Sequence, residues 1–291
     1  MTHATLRKSR IMQTISMATF GTLGFFVRKI GVSSGELALY RAVLATLMLG
    51  CYFLVTKQRI DLRAIGKELF LLLLSGVAMG FNWILLFEAY RYTTVSIATL
   101  SYYFAPVIVT LACPILFKEK MGPRQWLCFA MSTLGIVLIT GIGDTSGSSR
   151  HMIGILFGFG AAVLYASVIL LNKFIKGVAG IQRTFLQFMA ALVILLPYVL
   201  CTSGITVQTM DSAGWINLLI VGIVHTGITY CLYFSSLKEL PGQEAAILSY
   251  IDPLVAVAVS VFILGEQMSV MQIVGGLLIL GFTLLNEIKT S

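Results

Sequence analysis

Charge is what this chain has least of. Asp, Glu, Lys and Arg together make up 11% of it, against about 25% in an ordinary soluble domain. A soluble fold is excluded, because no core would be large enough to hold the uncharged runs that remain. Acidic residues number 12 and histidines three. They are scattered, which leaves no ligand cluster for a metal and no nucleophile triad. A Gly-rich phosphate loop is also missing. The five cysteines (Cys51, Cys113, Cys128, Cys201 and Cys231) fall in apolar segments without metal-like pairing, so they read as small buried hydrophobes. An enzyme is not expected, nor a cofactor or a metal. Arg7, Lys8 and Arg10 precede the first apolar run, but no small-residue cleavage site follows, so that run reads as a spanning helix and not as a signal peptide.

What the chain does have is apolar length. Its hydrophobic fraction is 58% and its mean hydropathy +0.93. A span needs roughly 20 apolar residues. Ten candidate runs occur, at about 11–27, 36–56, 69–90, 95–117, 124–141, 152–172, 184–203, 214–236, 243–264 and 270–288. Turn signals separate them, at Gly31 to Gly35, Met121-Gly122-Pro123, Gly143 to Ser149 and Leu240-Pro241-Gly242. With the N-terminus in the cytoplasm, fifteen of the 20 basic residues fall on the inner side and four on the outer, namely Arg28, Lys29, Arg91 and Arg150. The remaining one, Arg41, lies within a span. This bias places both termini inside. It also explains the net charge of +8 by anionic lipid heads, so nucleic acid is not an expected partner.

The second half repeats the first 147 residues later. Tyr103-Phe104-Ala105-Pro106 stands thirteen residues before Glu119, and Tyr250-Ile251-Asp252-Pro253 thirteen before Glu266. At the same offset Arg91 falls on Lys238, Trp83 on Tyr230 and Asn82 on Thr229. Gly143 to Arg150 is the longest predicted connection and divides two repeats, 1–142 and 150–291. Five spans per repeat is an odd number, so the second repeat enters from the opposite side. The expected fold is an all-α polytopic membrane protein. It has ten transmembrane helices in two inverted five-helix repeats, with both termini inside. No loop is long enough to hold a separate domain.

Half two carries Leu248 to Pro253, then Phe262-Ile263-Leu264-Gly265-Glu266, then Gly275-Gly276-Leu277-Leu278-Ile279; half one carries Leu100 to Pro106, Leu116-Phe117-Lys118-Glu119 and Gly135-Ile136-Val137-Leu138-Ile139. In this pattern the chain resembles the drug/metabolite transporter superfamily, in its ten-helix EamA-type branch. Proteins of this family export amino acids, nucleosides and other small metabolites, and some import choline or sugars, so the resemblance implies a secondary transporter and favours export; the membrane is expected to be a bacterial-type inner membrane. The resemblance also implies helices five and ten set apart as scaffold or homodimer helices. Lys118-Glu119 departs slightly from the Gly-Glu of the pattern.

Positions that differ between the halves are the better candidates for function. Asp252, opposite Ala105, places a carboxylate near the midplane. Such a residue costs about 3 kcal/mol to insert and is by default functional, here for binding a substrate amine or carrying a coupling proton. His225, opposite Ala78, is the one His of three inside a span and suits a proton relay or a hydrogen-bonded packing role. Glu88 and Arg41 read as an ion pair serving as an outer gate, with Arg91 as a competing partner at i+3. Pro106 and Pro253 remove backbone bonds mid-span, which provides a hinge or frees carbonyls. Trp83, Tyr230, Tyr103 and Tyr250 lie near the midplane, with Tyr40, Tyr102 and Tyr165 as further members. Interfacial belts put such rings at the span ends, where Trp126 and Trp215 stand, so a central set lines a site that stacks on a flat ring or cradles a cation. Asn82, Asn172, Gln187 and Thr229 add neutral polar groups. The small-residue spacings Gly76-to-Gly80 and Gly154-to-Gly158 allow close helix contact.

The expected function is proton-coupled export of an amino-containing metabolite by alternating access. An importer of choline-like quaternary amines or of another small metabolite is the alternative.

Overall fold

The computed structural model describes residues 3–57, 66, 68–117, 122–140, 149–175, 177–178, 180–237, 240, 245 and 248–287. Lys118-Glu119, Gly143 to Ser148 and Pro241-Gly242 lie outside the described residues. Among the described residues the chain is helical and has no strand. In order the helices are α1 (His3–Gly21), α2 (Leu23–Val27), α3 (Ser34–Thr56), α4 (Leu69–Tyr92), α5 (Val95–Tyr102), α6 (Ala105–Phe117), α7 (Pro123–Thr140), α8 (Ser149–Phe174) and α9 (Gly180–Thr202). After a 3₁₀ turn at Val207–Thr209 come α10 (Ser212–Leu219), α11 (Thr229–Leu237), α12 (Ile251–Ala258) and α13 (Val270–Glu287). π-helical segments follow α10 at Ile220–Ile228 and α12 at Val259–Ile263.

Six stretches are long and apolar enough to cross a membrane: Ser34–Thr56, Leu69–Tyr92, Val95–Ala112, Ser149–Phe174, Gly180–Thr202 and Ser212–Tyr233. Pro123–Ile139, Ile251–Ile263 and Val270–Leu285 are shorter apolar helices. Their outward faces are apolar as well, with Leu54, Val55 and Phe262 among the most exposed residues. This outer coat suits lipid and not water. Cys51 and Cys201 belong to it, against the expectation that every cysteine would be buried; Cys128 does lie inside.

Local chemistry sets the helix starts. The Ser33 hydroxyl accepts from the Glu36 N–H at 3.1 Å, Thr94 from Ile97 at 3.3 Å and Asp211 from Gly214 at 2.8 Å. Each fills one of the four backbone donors that a helix start leaves open. Pro123 opens α7, where its missing N–H is no loss. Pro106 and Pro253 follow the same rule. The chain turns at Tyr103-Phe104, so Pro106 is the second residue of α6, and it turns at Tyr250, so Pro253 is the third of α12. Both prolines therefore sit in a first turn after a break, and not in the interior of a continuous helix as the sequence alone implied.

Packing is close where side chains are smallest. α4 lies between α8 and α9. Gly76 and Gly80 face Ala190 and Ala191 of α9, and Gly154 and Gly158 face Thr93 and the Ala98-to-Ser101 turn. Both glycine pairs thus make contacts within the chain. α7 and α13 pair antiparallel: Arg124 donates to the Leu285 carbonyl at one end, while Gly135 and Gly275 cross at the middle. A Cβ on either glycine would stand 2.6 Å from the other's carbonyl oxygen, so backbone meets backbone here.

Candidate functional site

A cavity of about 360 Å³ occupies the centre of the bundle. α1 to α6 supply one side of it, and α8, α11 and the α12 turn the other. Seven of the chain's 11 tyrosines line it: Tyr90, Tyr102, Tyr103, Tyr165, Tyr230, Tyr233 and Tyr250. Trp83, Asn82, Pro106, Arg41 and Asp252 join them. Most of the residues singled out from the sequence therefore meet in one place.

The rings brace one another. Tyr102 lies 5.2 Å from Tyr165 and 6.1 Å from Tyr103, and Tyr103 lies 6.4 Å from Tyr250. Tyr230 meets Phe20 at 5.2 Å and Phe188 at 5.4 Å, and Phe188 meets Trp83 at 5.3 Å. Edge-on and tilted pairs of this kind fix ring orientation.

Asp252 enters the cavity from the first turn of α12. Its Oδ2 accepts from the Tyr103 hydroxyl at 2.8 Å, which joins the two repeated Tyr-to-Pro turns across the cavity. Gly21 of α1 rests on the backbone of this turn; a Cβ there would stand 2.5 Å from the Asp252 carbonyl oxygen. Asn82 donates to the Ala161 carbonyl at 2.6 Å, fastening α4 to α8 while it lines the site.

Arg41 is 4% exposed. Its Nε donates to the Thr226 hydroxyl at 3.2 Å, and its guanidinium lies 4.6 Å from the Trp83 ring centroid and 5.8 Å from that of Phe87. The Arg41–Glu88 ion pair expected from the sequence does not form. Glu88 pairs with Arg91 at 3.5 Å, the i+3 competitor, and faces a different chamber. On a helix residue 88 projects away from the Asn82–Trp83–Leu86 stripe, which the loose depth argument overlooked.

His225 does not line the cavity either. It lies against α2, where Nε2 is hydrogen-bonded to the Thr22 hydroxyl at 2.9 Å and Nδ1 meets the Ile220 carbonyl at 3.3 Å; the Phe26 ring packs on its edge at 5.0 Å. This is the packing role. His225, Thr226 and Thr229 each reach a carbonyl five residues back, at Ile220, Val221 and Val224. These bonds satisfy the wider π turn. Gln187 and Asn172 are also elsewhere: Gln187 donates to Ser75 at 2.7 Å and to Asn172 at 2.8 Å, tying α9 to α4 and α8. Tyr40 and Pro253 are not among the lining residues.

A second chamber of about 770 Å³ opens at the Arg28 end of the bundle. Arg28, Glu88, Arg91 and Arg150 line it. Arg28 forms an ion pair with Glu266, and Glu266 also accepts from the Val95 N–H at 2.9 Å and from the Ser260 hydroxyl. Tyr90 lines both chambers and so stands between them, with its hydroxyl 3.4 Å from that of Thr99 and its carbonyl accepting from Arg28 at 3.0 Å.

Several residues of the site were not singled out from the sequence. Met79, Leu86 and Tyr90 extend the Asn82–Trp83 stripe at helical spacing along α4, and Tyr233 follows Tyr230 at i+3. That spacing was the available signal. Met17, Phe20 and Thr99 carried none. Glu36 was also missed. It is fully buried at the start of α3, where it accepts from the Thr206 and Val207 N–H groups at 2.8 and 2.7 Å and from the Thr206 hydroxyl at 2.6 Å. Its role is to hold the 3₁₀ turn.

A polytopic helical protein with apolar outer faces and a central polar-and-aromatic cavity belongs architecturally among membrane proteins that handle small molecules. Comparison with known proteins narrows this. The sequence pattern of the EamA-like transporter family matches twice, over residues 9–141 and 152–287, and the chain belongs to that family. It is 33% identical over 266 residues to the uncharacterized transporter YxxF of Bacillus subtilis (strain 168), covering 91% of this chain and 85% of that one. It is 27% identical to an uncharacterized transporter of Archaeoglobus fulgidus, covering 93% of each. A solved crystal structure shares the fold, with a TM-score of 0.62 and 16% identity over 94% of this chain and 95% of that one. The protein is therefore a membrane transporter with a small-molecule substrate.

Proposed function

We propose that this transporter is a proton-coupled exporter of amino acids or related amino-containing metabolites, working by alternating access in a bacterial-type inner membrane. The observation that carries the reading is Asp252, a carboxylate on the wall of a tyrosine-lined central cavity, held by Tyr103 across the two halves. A carboxylate there suits an ammonium group or a proton, and its position between the repeats suits a site exposed alternately to each side.

The proposed topology has ten spans in two inverted repeats, 1–142 and 150–291, with both termini cytoplasmic. Its support is threefold. The family pattern matches once in each half. The shorter apolar helices and α1–α2 add four spans to the six long ones. The proline-marked turns recur at matching places. In this orientation the Arg28 chamber is the outer vestibule, and Glu88 and the Arg28–Glu266 pair stand at its gate. α7 and α13 form the scaffold pair, whose lipid-facing sides would join two copies in a homodimer. Pro106 and Pro253 mark the hinges of the rocking bundles.

Aromatic rings beside Asp252 would also suit a choline-like cation, which keeps import of quaternary amines as the second reading. The test is transport in proteoliposomes with an imposed pH gradient. Uptake of amino acids driven by the gradient and lost in Asp252→Asn supports the proposal. Transport indifferent to both pH gradient and voltage makes the protein a facilitator. Competition by choline alone favours the second reading.

A further inference from the structure

Arg41 is the one cation among the residues that line the cavity, and the protein gives it little to hold. It is 4% exposed, lies within α3 and lines the central cavity. Among the described residues it has a single hydrogen bond, from Nε to the Thr226 hydroxyl at 3.2 Å, and no carboxylate lies within 4.0 Å. Its two terminal nitrogens have no hydrogen-bond partner among the described residues and are not among the fully buried atoms, and the residue lines the cavity. The Trp83 face at 4.6 Å holds the guanidinium plane in place. Asp252 acts on it through space without touching it, a buried charge with no carboxylate in contact is costly, and a guanidinium on a cavity wall offers the fork of donors that takes a carboxylate through two parallel bonds.

We propose that Arg41 is the carboxylate-binding subsite of the transporter, so that the substrate is a zwitterion. Its carboxylate docks on the Arg41 fork, its ammonium group points to Asp252, and its side chain lies among the tyrosines. This rests on the central cavity being the substrate site, and it deepens the amino-containing reading by adding the second charged group. It also sets the two readings apart, since choline would leave Arg41 without an anion. A volume of about 360 Å³ admits a free amino acid with room for water, at the small end of ordinary ligand pockets.

The test is ligand-dependent thermal stabilisation of the purified full-length protein, which rises with ligand concentration over Kd. The probes are the twenty amino acids, each with its carboxyl amide, its decarboxylated amine and its deaminated acid. We expect stabilisation by one or more free amino acids, and Kd weakened about 100-fold in the matching amide and amine, as when one partner of a buried charge pair is removed. Arg41→Gln removes that preference, whereas Arg41→Lys retains part of it through charge alone. If Arg41→Gln does not fold, the wild-type series decides by itself. Amines or amides that bind as tightly as the parent acids overturn the Arg41 subsite and leave the amino-containing reading in place. Deaminated acids that bind through Arg41 while amines do not sustain the subsite and end the amino-containing reading. If no carboxylate-bearing probe stabilises the protein, the subsite is overturned.

Discussion

The two chambers hold charge in opposite ways. In the central cavity one Arg and one Asp stand among rings and hydroxyls, with Arg41 almost wholly buried. In the Arg28 chamber three arginines face an opening, and their side chains are hydrated, with Arg91 50% and Arg28 30% exposed. Tyr90 belongs to both. A charge in the first chamber is weakly screened and acts on what it touches, whereas charges in the second are screened within about a Debye length and act mainly on approach. On the proposed reading, the first chamber selects a ligand and the second gathers or gates it.

If that contrast holds, substitutions should rank by chamber. Asp252→Asn has the largest expected effect, a loss of gradient-driven transport of about 100-fold or more, read in proteoliposomes. Exchange of substrate without a gradient is the control that separates lost coupling from lost binding. Near-normal gradient-driven transport in this variant would sink the role of Asp252. Tyr90→Ala opens the wall between the chambers and should raise substrate leak several-fold in the absence of a gradient, measured as efflux from loaded vesicles. Trp83→Ala and Tyr230→Ala each remove a wall ring and should weaken affinity about tenfold, consistent with 1–2 kcal/mol for a ring contact. Equal losses of folded protein and of binding would return them to packing. Arg91→Gln, on the exposed side of the vestibule, should change the transport rate about twofold at low salt and not at all at high salt. A salt-independent effect as large as that of Trp83→Ala would erase the distinction between the chambers.

Much of the site was legible because its residues are costly where they stand. Asp252, Arg41 and a central ring set have no cheap reason to occupy apolar runs, and the structure brings them together around one cavity. The failures came from direction. Sequence depth put Glu88 near Arg41 and His225 near the centre, but the face of α4 turns Glu88 to Arg91, and the π segment turns His225 to Thr22 and Phe26. Helical spacing alone would have added Tyr90 and Tyr233, whereas Phe20 and Met17 of α1 reach the cavity only because α1 crosses α11 and α12.

By itself the sequence determined the environment and the architecture's parts. Its scarcity of charge and its apolar runs require lipid, and the family pattern recurs in both halves. Hydropathy and repetition are properties of residues in order, so order suffices to read them. Only the tertiary structure decided which polar groups share a space: that Tyr103 holds Asp252, that Glu266 reaches Arg28, and that Arg41 faces the cavity across from Asp252 with no carboxylate beside it. Such pairings depend on helix rotation and on backbone breaks at two prolines. A turn of one residue, about 100° on a helix, moves a side chain from cavity to lipid without changing a single apolar run.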